Sequence, residues 1–342
     1  MHAPKQRIGQ LNLVWKKAAK NHDYLKNGES IEGKVLLIMH PKRMNLMAPA
    51  SSYQTAVSVI DAGADEIYLG LENQNFANLN LSGRGRGCNV PTLSELEKIV
   101  EFSHKNGIQV DYAVNTPFLS DELEEIFISH VMAGVDAGVD ALIVGELGAM
   151  HLVRELGITL PVHASVLLNT FNIGQIELLK SFGASKVVLP FKMDLDEIRM
   201  LSTSGIDLEI FGQFGCSNIN GTCHLIHSAG ESINLGLPCR ANYSVGGRVH
   251  PILDAGTDCS ICSIPDLIEI GVSALKIVGR GMNPEMIRSI VQIYRRCIDL
   301  ALAGYDSGAI RDYALTEEPF WQLLCEQRRC KYLKTYVTDS YV

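Results

Sequence analysis

Between residues 44 and 303 the chain alternates short apolar segments of strand length with stretches whose apolar residues recur at helical spacing. The eight apolar segments cover residues 45–49, 66–70, 108–114, 141–145, 161–166, 186–190, 208–214 and 274–279. Eight strand–helix units in about 260 residues match the size of one (β/α)8 barrel. The alternation therefore predicts an α/β protein built on a TIM-type barrel.

Glycine follows several predicted helices at the point where the chain must turn toward the next strand, as at Gly63, Gly107, Gly138 and Gly183. Glycine adopts the left-handed conformation that ends many helices, so these positions agree with the alternation. The competing architecture, an open doubly wound sheet, usually has a glycine-rich phosphate turn after its first strand. Residues 45–52 read NLMAPASS and lack such a turn, which favours the closed barrel.

The segments on either side of the barrel are interpreted as additions to it. Residues 1–43 are predicted to form an N-terminal extension, and residues 304–342 a C-terminal helical tail that contains Cys325 and Cys330. Two cysteines five positions apart share a helical face poorly, so no metal is predicted there. No apolar run reaches the roughly 18 residues that cross a membrane, and the N-terminus lacks the apolar core of a signal peptide. We therefore expect a cytoplasmic protein.

A barrel locates its active site before any reaction is known, because such sites lie at the C-terminal ends of the strands. The polar and ionisable residues at or just beyond the predicted strand ends are Asn75, Asn115, Glu146, His163, Lys192, Gln213, Cys216 and Arg280. These residues are the first candidates for a functional site.

The connection after the seventh predicted strand, residues 215–262, is rich in cysteine. It contains Cys216, Cys223, Cys239 and Cys259, with six, fifteen and nineteen residues between them, and Cys262 as an alternative to Cys259. In a reducing compartment clustered cysteines are more often metal ligands or catalytic thiols than disulfides. Structural zinc prefers ligand pairs two to four residues apart, whereas widely spaced ligands suit an iron–sulfur cluster better. Spacing alone leaves both metals open.

The formal net charge of −8 bears on the substrate. An acidic chain does not attract nucleic acid through its overall field, although a local basic patch could still bind it. The charge therefore favours a small molecule over structured RNA.

The order of several motifs is similar to that of a known family. Residues 46–70 read LMAPASSYQTAVSVIDAGADEIYLG, and further motifs occupy residues 109–116, 138–148, 162–172, 209–226 and 265–280. On these motifs the chain resembles peptidase family U32, the collagenase-like peptidase family. The resemblance spans about residues 44 to 303.

The resemblance implies redox chemistry in spite of the family name. Some members are oxygen-independent hydroxylases that act in ubiquinone biosynthesis or on pyrimidines of tRNA and ribosomal RNA, with prephenate implicated as hydroxyl donor. Such members carry a [4Fe–4S] cluster, whose ligands correspond here to Cys216, Cys223, Cys239 and Cys259. Zinc is the alternative metal. Because some members work in pairs, a homo- or hetero-oligomer is also expected.

Roles follow for the residues near the predicted barrel mouth. The candidates for catalysis are His163, Glu146, Lys192 and Arg280, and those for substrate binding are Asn75, Asn115, Arg240 and Gln213. Cationic groups could bind a carboxylate of the donor or substrate, and a histidine titrates near neutral pH and could move a proton. The structural alternatives are an ion pair between Arg280 and Glu146 and a core position for His163.

The sequence departs from the family at the predicted mouth. Phe191 and Lys192 stand where relatives have an Arg-Glu pair, and Val278 stands where a glutamate often precedes Gly-Arg. These changes predict a substrate different from those of the familiar members.

Three functions remain open. The first is an iron–sulfur hydroxylase or related redox enzyme that acts on a small molecule or a nucleotide base. The second is a peptidase, although the sequence shows no serine elbow and no metalloprotease helix. The third is a non-catalytic iron–sulfur subunit of a heteromeric hydroxylase.

Overall fold

The computed structural model describes residues 43–72, 87–116, 119–191, 193–213, 241–250, 259–318, 320–326 and 330–332. These residues belong to one compact unit, Pro41–Val342. The predicted N-terminal extension, residues 1–43, lies outside the described residues except for Arg43. Among the described helices, none combines the length and apolar character needed to cross a bilayer.

Eight parallel strands close into a barrel. They are β1 (Asn45–Pro49), β2 (Glu66–Leu69), β3 (Gln109–Ala113), β4 (Ala141–Val144), β5 (Val162–Ala164), β6 (Ala184–Val188), β7 (Asp207–Phe211) and β10 (Ala274–Lys276). Around the barrel the order is β1, β10, β7, β6, β5, β4, β3 and β2. An antiparallel hairpin of β8 (Tyr243–Val245) and β9 (Arg248–His250) lies between β7 and β10 in the chain.

Helices occupy the connections between strands. They are α1 (Tyr53–Asp61), α2 (Leu93–Lys105), α3 (Glu124–Asp136), α4 (Leu147–Glu155), α5 (Ile173–Ser181), α6 (Leu195–Ser202), α7 (Ile264–Ile270) and α8 (Pro284–Leu302), followed by α9 (Ser307–Glu317) and α10 (Phe320–Glu326). The alternation confirms the predicted (β/α)8 barrel.

The predicted and observed boundaries differ at a few positions. β6 begins at Ala184 instead of Lys186, because the exposed Ser185 interrupts the apolar run on which the prediction depended. The predicted helix at Asp121 starts as a 3-10 turn, Asp121–Leu123, and becomes α-helical only from Glu124. In each case the element itself was predicted correctly.

Short polar side chains set where the outer helices begin. Ser52, Thr92 and Asn172 each accept a hydrogen bond from a backbone N–H in the first turn of the helix that follows. Asp194 does the same, and Glu197 bonds back to it in a capping box. Such caps satisfy N–H groups that have no partner within the helix and typically contribute about 1 kcal/mol each.

Alternating residues on each strand divide the core into an outer and an inner part. Outward-facing residues such as Leu46, Ile67 and Val110 pack under the helices in the main apolar cluster. The residues next to them, such as Met47 and Tyr68, form a separate cluster inside the barrel. This period of two assigns every second strand residue to the barrel interior.

The C-terminal tail returns to the barrel. Its described part contains α9 and α10, and α10 ends at Glu326. Beyond it, the Tyr332 hydroxyl donates to the Phe211 carbonyl (2.8 Å) and lies 3.0 Å from the Phe211 amide nitrogen. A buried residue of the tail thereby fastens to the end of β7.

Candidate active site at the barrel mouth

The barrel interior contains a connected set of buried ion pairs. Lys186 Nζ lies 2.8 Å from Glu66 Oε2 and 3.7 Å from Glu209 Oε2. Lys276 Nζ lies 2.8 Å from Glu209 Oε1. Burial alone lowers the pKa of Lys186, but the Glu209 and Glu66 carboxylates outweigh burial and hold it above its usual value. Buried charges persist only when they are paired, so these contacts fix the inward faces of four strands.

His163 and Asp111 form a second buried pair inside the barrel. His163 Nδ1 lies 2.7 Å from Asp111 Oδ2, and both residues are buried. Burial raises the pKa of Asp111, but His163 outweighs this effect through its charge and hydrogen bond, with help from Lys186 and Lys276, so that the pKa is lower than usual. The structural alternative for His163, a satisfied core histidine, describes this environment. Its catalytic role stays a prediction.

Aromatic side chains cover the C-terminal end of the interior. Phe191, just after β6, stacks on Phe211 of β7 with ring centroids 4.0 Å apart. Val278 packs against this pair from the end of β10. The position at which the family resemblance predicts arginine is therefore apolar and contributes to a wall of the mouth.

Arg280 is held firmly at this end of the barrel. Its Nη1 donates to Asn89 Oδ1 at 3.1 Å, and its guanidinium carbon lies 5.7 Å from the centroid of the Tyr68 ring. The residue is 6 % exposed although it carries a permanent charge. A Cβ at Gly70 would lie 2.9 Å from Arg280 Nη1, so the glycine at the end of the Tyr-Leu-Gly motif makes room for the guanidinium.

Three buried acceptor atoms lie beyond the ends of β3 and β5. Asn115 Oδ1, Asn169 Oδ1 and Thr170 Oγ1 have no hydrogen-bond partner among the described residues. Asn169 has a positive φ of 50° after the 3-10 turn Val166–Leu168, a conformation that asparagine tolerates better than most residues. Buried polar atoms usually find a partner, so these acceptors could receive hydrogen bonds from a ligand or water.

Two predicted site residues have structural contacts. Gln213 Nε2 donates to the Val278 carbonyl at 2.7 Å, and Gln213 Oε1 accepts from the Val278 amide. Glu146 caps α4 by accepting from the Ala149 amide at 2.7 Å. The Gln213 contacts link the ends of β7 and β10, and the Glu146 contact stabilises the start of α4.

The other predicted residues divide into two groups. Asn75, Lys192, Cys216, Cys223, Cys239 and Arg240 lie outside the described residues. Cys259 is described, and burial raises its pKa to about 12, with the neighbouring Cys262, Cys330 and Cys325 adding to the shift. A buried thiol among other thiols matches the soft donors that iron–sulfur clusters and zinc require.

Sequence reasoning missed several residues of this region. Asp111, Lys186 and Glu209 each interrupt a largely apolar strand, and a charge inside a buried strand could have identified the barrel interior. Asn89 and Lys331 gave no comparable signal. Lys331 is fully buried with its Nζ 4.6 Å from the centroid of the Phe191 ring, a contact that only the folded tail creates.

The strand order and these contacts define a (β/α)8-barrel protein with a charged interior and a cationic, acceptor-rich mouth. Residues 51–337 match the family model for peptidase family U32, so the chain belongs to that family. A solved structure described as a U32 peptidase matches with a TM-score of 0.48 and 13% identity, covering 76% of this chain and 99% of its own length.

The curated relatives have names of two kinds. A collagenase of Porphyromonas gingivalis is 27% identical, covering 80% of this chain and 70% of its own length. The 23S rRNA 5-hydroxycytidine C2501 synthase of Escherichia coli is 28% identical over 75% of this chain, and the match spans 39% of that longer protein. The tRNA hydroxylation protein P1 of Bacillus subtilis is 26% identical, covering 84% of this chain and 72% of its own length.

Proposed function

We propose that this chain is an enzyme that hydroxylates a nucleotide base, or a small molecule resembling one, without molecular oxygen. The observation that carries the proposal is the combination of a buried guanidinium at Arg280 with buried acceptors on Asn115, Asn169 and Thr170. All four follow the C-terminal ends of barrel strands, where active sites of this fold lie. The names of the two hydroxylation relatives support a base as substrate.

The two kinds of group suit two kinds of ligand. A guanidinium binds a carboxylate through two parallel hydrogen bonds, so Arg280 would hold a carboxylate of the hydroxyl donor. Prephenate is the donor that the family resemblance implies. The acceptor atoms match the ring N–H and amino groups of a base, which donate hydrogen bonds.

The proposed cofactor is a [4Fe–4S] cluster on Cys216, Cys223, Cys239 and Cys259, with zinc as the alternative. When bound, such a cluster supplies electron transfer and Lewis acidity beside the mouth. Cys259 is the member of this set that the structure describes, and its backbone pairs with Gln213 just after β7. The cysteine connection thus returns to the strand end from which it started.

The described residues would do the remaining work. Asn89 orients the Arg280 guanidinium, and Tyr68 packs beneath it. Phe191 and Phe211 exclude water from one wall. His163 uses Nδ1 to bond Asp111, which leaves Nε2 as the atom that would accept or return a proton.

The test uses protein purified without oxygen. It is incubated with an unmodified RNA transcript or the free nucleoside, each with prephenate, and the nucleosides are analysed by mass spectrometry for the gain of one oxygen atom. We expect this gain in the native protein and its loss in Arg280→Met. Arg199→Met is the matched control, because Arg199 is exposed on α6 and pairs with Asp196.

The same preparation tests the other functions. Metal-free protein that cleaves gelatin and never adds oxygen would overturn the proposal in favour of a peptidase. Oxygen addition that appears only with a second subunit, and that survives Arg280→Met, would instead assign the chain a non-catalytic role.

A further inference from the structure

Four cysteines from two distant parts of the chain surround one small cavity. Cys259 and Cys262 come from the segment that leads into α7, and Cys325 and Cys330 come from the C-terminal tail. Trp321 and Arg311 also contribute to the lining. The sequence pattern predicted no metal at Cys325 and Cys330, because a continuous helix through the tail would direct their side chains to different faces. α10 ends at Glu326, so helical spacing does not govern the position of Cys330.

Backbone contacts hold the two segments against each other. The Lys331 amide donates to the Cys259 carbonyl at 2.7 Å, and Cys259 pairs with Cys330 as neighbouring extended residues. The Ser263 hydroxyl donates to the Lys331 carbonyl at 3.1 Å. One main-chain and one side-chain hydrogen bond, both to Lys331, thus hold the residue after Cys330 against the segment that contains Cys259 and Cys262.

We propose that Cys259, Cys262, Cys325 and Cys330 form a four-thiolate site for a thiophilic metal centre, either zinc or an iron–sulfur cluster. Two residues separate the first pair and four separate the second. Both intervals fall within the spacing of two to four residues that paired thiolate ligands of structural metal sites use. The four soft donors select zinc or iron–sulfur chemistry over hard cations such as magnesium or calcium.

The geometry bears on which of the two centres is bound. Among the described residues, only one set of three His, Cys, Asp or Glu ligand atoms has all its members within 4.8 Å of one another, and it belongs to Glu66, Asp111 and Glu209. Two of these carboxylates pair with lysines, and that of Asp111 pairs with His163. The four sulfur atoms are therefore more widely spaced than the ligands of a single ion. The distances between the sulfur atoms suit an iron–sulfur cluster, whereas the number of residues between the paired cysteines suits zinc.

The proposed centre has a structural consequence. It would tie the tail to the segment around Cys259, which pairs with Gln213 at the end of β7. Cys259 cannot serve both proposed centres. The family resemblance assigns it to the set that contains Cys216, whereas its backbone contacts with Cys330 and Lys331 assign it to the tail set, which leaves Cys216, Cys223 and Cys239 at the mouth. The centre would thus fasten the tail beside the barrel mouth without taking part in the reaction.

Metal analysis of full-length variants tests the site. Cys216→Ser removes a ligand of the mouth set, whereas Cys262→Ser combined with Cys325→Ser removes two ligands of the proposed set. We expect the double variant to lose about one zinc ion, or about four irons with their sulfides, that Cys216→Ser retains. Cys297→Ala is the matched control, because Cys297 is buried nearby on α8 and does not line the cavity.

Cys259→Ser decides which set contains the shared residue. We expect its metal content to match that of the double variant, and a match to Cys216→Ser would overturn the four-cysteine assignment. Equal metal content in the double variant and the native protein would also overturn the site. The native protein could also contain zinc and no iron. If only the double variant then loses that zinc, the result would reject the proposed iron–sulfur cofactor and support the four-cysteine site.

Alkylation of the native protein keeps the test valid if the double variant does not fold. Cys325 and Cys330 are partly exposed, so they should react readily with iodoacetamide when no metal is bound. We expect peptide mass spectrometry to show both thiols protected until a chelator strips the metal under reducing conditions. Equal labelling before and after stripping, or a disulfide within the set, would overturn the proposal.

Discussion

Gly70 and Arg280 approach so closely at the barrel mouth that a Cβ at Gly70 would lie 2.9 Å from Arg280 Nη1. The same Cβ would lie 2.6 Å from Asn89 Oδ1, the atom that accepts the hydrogen bond of Arg280. The φ angle of Gly70 is not positive. The neighbouring Asn89 amide and Arg280 guanidinium, and not an unusual backbone angle, therefore require glycine at the end of β2.

Gly70→Ala should displace Arg280 and weaken carboxylate binding. A hydrogen bond to a charged group contributes about 1.5–3 kcal/mol, so affinity for prephenate should fall roughly ten- to a hundredfold. Calorimetric titration measures the affinity, and thermal unfolding reports the accompanying strain. Gly174→Ala in α5 is the control, because its Cβ would meet only Asn172 Oδ1, at 3.2 Å. Unchanged affinity in Gly70→Ala would remove Arg280 from the binding site.

Lys186→Met should destabilise the barrel strongly. The substitution leaves the Glu66 carboxylate, 2.8 Å from the lost ammonium, without its cation, and Glu209 keeps only Lys276. Removing one partner of a buried ion pair typically costs about 3–5 kcal/mol. Urea denaturation should show this loss. Lys180→Met, which removes an exposed pair with Glu177, should cost less than about 1 kcal/mol, and similar losses in both variants would contradict the prediction.

Asp111→Asn should change how stability responds to acid. Because the folded pKa of Asp111 lies below its ordinary value of 3.8, the ionised carboxylate stabilises the fold above that pH. This contribution is lost as the pH falls through the lower, folded pKa. The free-energy difference between native protein and variant, from urea titrations at several pH values, should be about 3–5 kcal/mol near neutral pH and shrink in acid.

Asp196→Asn serves as the control for this experiment. Asp196 is exposed on α6 and pairs with Arg199 at 3.3 Å. We expect little change in its unfolding free energy at any pH. A difference for Asp111→Asn that stays constant down to acid pH would show that charge pairing with His163 does not stabilise the barrel.

His130 should make the protein lose stability between pH 6.5 and about 4. Burial lowers the pKa of His130 from 6.5 to about 4. The unfolded chain therefore takes up a proton in this window while the folded chain does not, so stability falls as the pH falls. The loss amounts to about 3 kcal/mol, because one pKa unit corresponds to about 1.36 kcal/mol.

His130→Gln should flatten that part of the pH profile. Glutamine keeps a polar group near the Tyr112 hydroxyl, which lies 3.1 Å from His130 Nε2, but it does not titrate. The unfolding free energy, measured by urea titration at each pH, checks the slope. His151→Gln, at an exposed position of α4, should keep the native slope. An equally steep profile in His130→Gln would assign the pH dependence to other groups.

Much of the fold could be predicted from local patterns. Several barrel strands are short, mostly apolar runs between a glycine turn and a capped helix, as at Ala141–Val144 between Gly138 and α4. Because parallel strands are buried on both faces, these runs are recognisable without knowledge of their partners. The mouth position of Asn115 and Arg280 followed from the same reasoning, since both come directly after a strand.

The contacts that define the site arise only in the tertiary structure. Arg280 meets Asn89 across 191 residues of sequence, and the Ser263 hydroxyl meets the Lys331 carbonyl across 68. Periodicity describes neighbours along the chain, so it cannot report which distant residues a closed barrel brings together. The amino-acid sequence by itself determined the strands, the helices and the end of the barrel at which the site is proposed. Barrel closure and the returning tail decided which charges, acceptors and thiols meet, because those distances depend on packing between segments far apart in the chain.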